Sequence, residues 1–245
     1  MSYALSVVIP FYNEEDNATP LIEEIVTHMP KDVTYEIVAV EDGGTDKTYD
    51  NLVQLQKKVK QLVVLKHVRN FGQSASQLSG VRHASHEWIV TMDGDGQNMP
   101  EDLPKFIESL NILAPKHPEG LLINGNRRAT RKDNALRKVS TFLANGYRKT
   151  MLGDKCPDSG CCYRLFDRKT FLKMPHFKNF HRFTVALFQR EGAQVEFIPI
   201  NHRKREHGVS KYGVLNRVFV GIIDTFAVKW LQRRPCSPAI KPLKK

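Results

Sequence analysis

A chain of 245 residues, 41% of them hydrophobic, can build one α/β domain or two small ones and is too apolar to be disordered throughout. Thirty-seven Lys and Arg against 26 Asp and Glu give a formal net charge of +11, which points to an anionic partner: nucleic acid, an acidic membrane face or a phosphorylated substrate. The opening MSYALSVVIP has no basic leader, and no uncharged apolar stretch reaches the ~20 residues of a membrane span. The expectation is a chain kept in the cytosol that is able to lie on a membrane. Cys156, Cys161, Cys162 and Cys236 match no zinc spacing and are expected to stay reduced there.

Leu5 to Pro10 reads as a first buried strand, with Phe11 to Glu15 as the loop beyond it. A helix begins near Thr19, with Leu21, Ile22, Ile25 and Val26 on one face. Tyr35 to Val40 is the second strand and runs into Glu41, Asp42, Gly43, Gly44, Thr45 and Asp46. Thr45 or Asp46 can cap the next helix, which extends to about Val59. Leu62 to Leu65 is a third strand, and Arg69 to Gln73 lead into a helix from Ser74 to about Ala84. The fourth strand opens at Trp88. Four strand–helix alternations predict a parallel sheet covered on both faces. Their polar strand ends then lie on one edge and can build one site.

The most informative stretch is WIVTMDGDGQNMPEDLP, Trp88 to Pro104. A short apolar run becomes Asp93-Gly94-Asp95-Gly96, where glycines let the backbone turn and both carboxylates converge. Mg²⁺ or Mn²⁺ commonly takes one or two carboxylates plus substrate phosphates, and Gln97 adds an amide oxygen. Pro100, Glu101 and Asp102 start a helix. Alone the motif equals a solvated Asp-Gly turn. Its place at the carboxyl end of a buried strand is where α/β proteins bind ligands.

The second half is less regular. Leu121 to Ile123 is a strand leading to Gly125, Asn126, Arg127 and Arg128, and Asn134 to Met151 reads as a basic helix. Cys156 to Phe166 is a turn and strand, Phe180 to Glu191 a helix, Gln194 to Ile200 a strand, and His202 to Gly213 a dense basic loop. From Val214 to Leu231, apolar pairs recur every four residues, with Arg217, Asp224, Lys229 and Arg233 elsewhere on the helix. Such a helix either docks on the core or lies in a membrane interface, and its aromatic face and basic flanks favour the interface. Pro235 and Pro238 end it before a lysine-rich tail that is expected to be disordered.

Taken together, these segments are similar to those of the family 2 glycosyltransferases with the GT-A fold, and within them to the polyprenyl- or dolichyl-phosphate sugar synthases. SVVIPFYNEEDN resembles the family's first strand and nucleotide loop. VEDGGTDKT resembles its VDDGSTDGT, with Glu41 and Gly44 departing from Asp and Ser. HVRNFGQSASQLSG resembles its RNxGxxxAxxxG segment, and MDGDGQNMPEDLP its metal-binding DxDxQxxPExxP. GNRR, DSGCCYRLFDR and REHGVSKYG resemble its acceptor-side segments, so that the likeness runs from about Leu5 to Arg234.

The resemblance implies a Rossmann-like, mostly parallel α/β sheet followed by the amphipathic helix. It divides the chain into a nucleotide-sugar-binding half (1–115), an acceptor-binding half (116–213), an interfacial helix (214–234) and a basic tail (235–245). It implies that Pro10, Tyr12, Glu14 and Asp42 hold the nucleoside, Asp42 accepting from the base. Asp93, Asp95 and Gln97 would hold Mg²⁺ or Mn²⁺ against the diphosphate. Arg127, Arg137, Arg205 and Lys211 would face phosphates, including that of the lipid acceptor. Asp95 and Asp158 are the candidates for a base, although a phosphate acceptor is already anionic near neutral pH and needs positioning more than deprotonation. The implied reaction is an inverting transfer from a nucleotide sugar, UDP-linked before GDP-linked, to a polyprenyl phosphate on the cytosolic face of an anionic inner or plasma membrane. Its products would serve cell-envelope glycan or lipopolysaccharide modification.

Three other functions compete with this one. A transferase acting on a soluble or polysaccharide acceptor is the main one, although a processive synthase would carry a QxxRW-type segment where HRKREHGVSKYG stands. A nucleic-acid-binding protein ranks well below, because the basic residues lack interleaved aromatic platforms. A non-catalytic homologue is disfavoured by the intact Asp93, Asp95 and Gln97. No nucleic-acid partner is expected, and the oligomeric state is open, a homo-oligomer included.

Overall fold

The structure, a computed structural model, describes residues 3–128, 146–154, 156–204 and 214–234, without the side chains of 214–219. Apolar runs rich in β-branched residues form β1 (Leu5–Phe11), β2 (Tyr35–Glu41), β3 (Leu62–Lys66) and β4 (Trp88–Thr91). Helices α1 (Ala18–His28), α2 (Thr48–Gln56) and α3 (Gln73–His83) return the chain between them. The sheet has seven strands in the order β3-β2-β1-β4-β6-β5-β7, with β5 Leu121–Asn126, β6 Arg164–Asp167 and β7 Gln194–Pro199. β1 pairs in parallel with β2 and β4, and β2 with β3. The carboxyl ends of the first four strands therefore share one edge, as the sequence predicts.

β6 runs antiparallel to both β4 and β5, whereas β5 and β7 are parallel. This puts Arg164, the first residue of β6, opposite Thr91, the last of β4. The turn that precedes β6 thus arrives at the same edge as the Asp93–Gly96 turn. The β4–β6 pairing also carries one continuous sheet across the boundary expected near residue 115.

Strand residues alternate between two apolar layers. Val7, Ile9, Ile37, Ala39, Val90 and Ile123 pack with Leu21, Ile22 and Ile25 of α1 and with Phe106 and Leu110 of α4 (Leu103–Leu113). Val8, Val38, Val40, Ile89 and Leu122 pack on the other face with Val81 of α3, Phe171 of α5 (Arg168–Lys173) and Leu187 of α6 (Thr184–Arg190). α5 was not anticipated; Asp167 caps it by accepting from the backbone N–H of Thr170 at 2.7 Å. The helix expected over Phe180–Glu191 is two pieces, a 3₁₀ turn at Phe180–Arg182 and then α6. Asn179 enters that turn in the left-handed region, at φ 71°. α2 stops at Gln56, short of Val59, and Asp46 serves its first turn by accepting from the N–H and hydroxyl of Thr48.

The last helix, α7 (Val214–Gln232), uses two faces. Val228 is fully buried and Thr225 nearly so, Arg190 of α6 donates to the carbonyl of Leu231, and Gln232 donates to that of Leu152. On the other face Ile222, Ile223, Phe226 and Trp230 are exposed, the last two by 57% and 58%. The counted apolar stripe is therefore left uncovered among the described residues, and docking falls to side chains outside it. No described helix is long and apolar enough to cross a membrane.

Candidate functional site

The site lies where strand order changes direction, at the carboxyl ends of β1 and β4, the usual ligand crevice of an α/β sheet. The loops after β1 and β2 are laced together. Asn13 takes the left-handed conformation at φ 52° and its Oδ1 accepts from the backbone N–H of Thr45 at 2.8 Å. Glu14 donates its N–H to Thr48 Oγ1 at 2.8 Å, and its carboxylate accepts from Asn17 at 2.7 Å. Pro10 and Tyr12 stand half-buried on the same loop.

Glu41 and Gly44, the two departures from the family pattern, fit each other. Glu41 Oε1 accepts from the N–H of Gly44, and a Cβ on Gly44 would lie 2.8 Å from that oxygen and 2.5 Å from Asn13 Oδ1. The longer acid thus occupies space that a serine at position 44 would need. Asp42 is 2% exposed. Its oxygens accept from the backbone N–H groups of Phe71 and Gly72 at 2.9 and 2.7 Å, and one bonds His67 Nδ1 at 2.7 Å. In this structure its carboxylate is thus engaged with the β3–α3 loop.

The Asp93–Gly96 turn closes on itself. The N–H of Asp93 donates to Asn98 Oδ1 at 2.9 Å, and that of Gln97 donates to Asp95 Oδ1 at 3.1 Å. Asp93 Oδ1 also accepts from Gln73 Nε2 at 2.6 Å. Burial first, and the nearby Asp95 carboxylate second, push the Asp93 carboxyl up to about 6, while Arg127 and Arg164 pull it down. A buried carboxylate whose ionisation a neighbouring carboxylate opposes forms with it a donor set that a hard divalent cation relieves, and Gln97 sits half-buried on the same turn. Among the described residues no group of three or more His, Cys, Asp or Glu gathers as a metal cluster. The pair suits a cation that shares its coordination with substrate phosphates.

The turn is braced from the second half of the chain. Arg203 donates its N–H to the carbonyl of Gln97 at 3.2 Å, its Nε to the carbonyl of Gly96, and its two terminal nitrogens to Glu24 at 3.0 Å each. The backbone of Asn201 donates to the buried Asp102 at 2.7 Å. The chain is therefore fixed to the metal-motif loop two residues before Arg205. Arg205, Lys211 and Arg137 lie outside the described residues, as do most of the expected 134–151 helix, Cys236 and the 235–245 tail.

Arg127 and Asp158, expected in separate roles, meet in a bidentate ion pair, Nε–Oδ2 at 2.8 Å and Nη2–Oδ1 at 3.0 Å. Burial works against the Arg127 charge, but the Asp158 carboxylate outweighs it and holds the guanidinium more firmly charged than usual. A carboxylate bonded through both oxygens to a guanidinium is a poor proton acceptor. Of the two candidate bases, Asp95 stands on the half-buried turn and Asp158 is held in this pair.

Two residues at the site escaped the sequence argument. Arg164 is 1% exposed and donates to Asn124 Oδ1 at 2.7 Å and to the carbonyl of His181 at 2.9 Å. Its signal was its place at the start of an apolar strand segment, where a charge needs buried partners. Gln73 was read only as part of a loop-to-helix segment. Burial pushes the Cys161 thiol up to about 11 and that of Cys162 higher still, away from the thiolate form that reacts.

Comparison with known proteins identifies the family and the fold. The chain is 34% identical to the dodecaprenyl-phosphate galacturonate synthase of Rhizobium johnstonii over 97% of its own length and 70% of that protein's. It is 31% identical to the undecaprenyl-phosphate 4-deoxy-4-formamido-L-arabinose transferase of Edwardsiella ictaluri over 87% of its length, spanning 64% of that enzyme. Among solved structures, the mannosyltransferase of Pyrobaculum calidifontis in complex with GDP-Man and Mn²⁺ superimposes with a TM-score of 0.65 at 16% identity, covering 97% of this chain and 66% of that one. A glucosyl-3-phosphoglycerate synthase from Mycobacterium tuberculosis in complex with UDP gives a TM-score of 0.62 at 15% identity, covering 96% and 82%. These likenesses show a GT-A fold. The family model "Glycosyl transferase family 2" matches residues 6–174, and the chain belongs to that family.

Proposed function

We propose that the chain transfers a sugar from a nucleotide-sugar donor, UDP-linked before GDP-linked, to a polyprenyl phosphate, with inversion. The observation that carries this is the convergence of the β1, β2 and β4 loops on one edge, with the Asp93–Asp95 pair at its centre. Two relatives above 30% identity whose names specify polyprenyl-phosphate sugar transfer support it.

Asp93, Asp95 and Gln97 are the residues that would hold Mg²⁺ or Mn²⁺. A divalent cation bound there offsets the charge that develops on the leaving diphosphate. The β1 and β2 loops, with Pro10, Tyr12 and Glu14, orient the nucleoside. The acceptor, a phosphate monoester with a second pKa near ~6, attacks as an anion and leaves the protein the task of positioning it. Arg205, Lys211 and Arg137 are proposed for that task. Arg127, already paired with Asp158, contributes charge from behind.

α7 is proposed to lie on the cytosolic surface of an anionic bilayer. Its outward Ile222, Ile223, Phe226 and Trp230 supply the apolar face, and the exposed Arg233 and Arg234 supply charge, at about 1 kcal/mol each near anionic headgroups. Bound in this way, the helix would hold the crevice beside its lipid acceptor.

The deciding experiment incubates purified protein and Mn²⁺ with a panel of UDP- and GDP-sugars and a short polyprenyl phosphate, and weighs the products. A lipid-phosphate-linked sugar is the expected mass. A product formed only in a parallel arm with soluble saccharide acceptors would replace this function with the alternative.

A further inference from the structure

Asp42 sits on the nucleotide edge but points its chemistry elsewhere. Three of the roughly four lone-pair positions of a carboxylate are engaged: by the N–H of Phe71, the N–H of Gly72 and His67 Nδ1. His67 is itself held from both sides. Its backbone N–H donates to the carbonyl of Glu41 at 2.8 Å, and its Nε2 bonds Ser79 Oγ at 2.9 Å. With Nδ1–H donating to the carboxylate, Nε2 is left to accept from the Ser79 hydroxyl. The ring also meets Phe71 edge-on at 5.4 Å. The two loops touch at Gly43, whose φ is +65° and where any Cβ would fall 2.2 Å from the Arg69 carbonyl carbon.

The clasped backbone leads straight into the metal motif. Gly72 precedes the first turn of α3, and Gln73 is that helix's first residue. The two N–H bonds of its side-chain amide go to Asp93 Oδ1 at 2.6 Å and Cys162 Sγ at 3.3 Å. A continuous route thus runs Asp42, Gly72, Gln73, Asp93, and every link is a hydrogen bond or a peptide bond.

We propose that Asp42 and His67 form a clasp that positions Gln73, and that Gln73 orients the Asp93 carboxylate for a divalent cation. The inference rests on the metal assignment made under Proposed function. It gives Asp42 a positioning role beside the nucleobase contact that the resemblance implies, and it adds Gln73, His67 and Ser79 as positioning residues. Groups that hydrogen-bond a metal ligand from outside typically change metal affinity about 10–100-fold when removed.

The test is Mn²⁺ binding to the full chain, followed by the loss of the free-ion electron paramagnetic resonance signal, with UDP and separately with GDP present. Gln73→Ala is expected to raise the Mn²⁺ Kd about tenfold, while nucleotide binding measured without metal stays within about twofold. Asp42→Asn should raise the same Mn²⁺ Kd, and the double variant should be no worse than the weaker-binding single one, because both cut one route. If Asp42→Asn does not fold, as judged by circular dichroism, His67→Phe takes its place, with an expected rise of about threefold from the loss of one hydrogen bond. The proposal is overturned if Gln73→Ala binds Mn²⁺ as tightly as wild type. It is overturned equally if Asp42→Asn, or His67→Phe in its place, changes the preference between UDP and GDP and leaves Mn²⁺ affinity alone. Failure of the wild type to bind Mn²⁺ with either nucleotide removes the metal assignment and this proposal together, which separates the two failures.

Discussion

The two sides of the sheet hold their buried charges with different partners. Around β1, β2 and β4 four buried or half-buried acids, Glu41, Asp42, Asp46 and Asp95, all accept from backbone N–H groups. Around β5 and β6 buried acids and arginines stand together: Arg127 pairs with Asp158 and Arg148 with Asp154, while Arg164 donates to an amide oxygen and a carbonyl. Acids held by backbone N–H groups keep a fixed geometry, which suits a half proposed to hold a cation. Arginines paired with buried carboxylates in the other half are fixed in place with their charge largely offset. Backbone partners around Asp42 and Asp95, against side-chain partners around Arg127 and Arg148, distinguish the two sides.

The largest break in that contrast should come from Asp95→Asn. It removes one acid without changing the shape of the turn, and a cation contributes several kcal/mol of charge stabilisation, so transfer should fall by at least about a hundredfold. The melting curve should be unchanged; full activity in this variant or in chelator would remove the metal from the mechanism. Asp158→Asn attacks the other side. It leaves Arg127 buried with half its partner, and losses of about 3–5 kcal/mol follow when one member of a buried pair goes. Urea unfolding measures this. A variant that stays fully stable but loses transfer would return Asp158 to the list of candidate bases.

A smaller and more selective effect is expected from Arg205→Ala and Lys211→Ala. A hydrogen bond to a charged group is worth about 1.5–3 kcal/mol, or roughly tenfold and upward, and the loss should appear in the KM for polyprenyl phosphate. A rise confined to the donor's KM would place these cations on the wrong side of the comparison. The smallest change in stability is expected on the outer face of α7. Phe226→Glu with Trp230→Glu should shift stability by about 0.5 kcal/mol or less, as exposed sites do, yet abolish co-sedimentation with anionic liposomes at low salt. Val228→Glu, on the fully buried face, should unfold the protein or cost several kcal/mol. Liposome binding that survives the double variant would assign the exposed stripe to some other surface.

The four βα units were legible because each strand is an apolar run with a glycine- or acid-bearing end, and each bound falls within a few residues of its expected place. The Asp93–Asp95 turn was legible for the same reason. Asp42 shows what was not. Its residue type marks it as functional, but its partners are backbone N–H groups 29 and 30 residues away, which no spacing rule connects. Arg164 was hidden because an arginine in CYRLF looks like a surface charge until β6 is known to lie between β4 and β5. α5 was missed because six residues give too little periodicity.

The antiparallel β6 has a consequence for the order of assembly. β1 to β4 can pair as they emerge, through connections of modest length. The edge that carries Asp93 is completed only when Cys162 and Arg164 return from far along the chain; the Thr91 hydroxyl bonds the carbonyl of Cys162 across 71 residues. Closing so long a loop is slow relative to local pairing. During synthesis β1 to β4 would therefore be structured while the crevice still lacks its second wall. Pulse-labelled hydrogen exchange during refolding should find the amides of β1 and β2 protected before those of β6, and simultaneous protection would show instead that the whole sheet closes in one step.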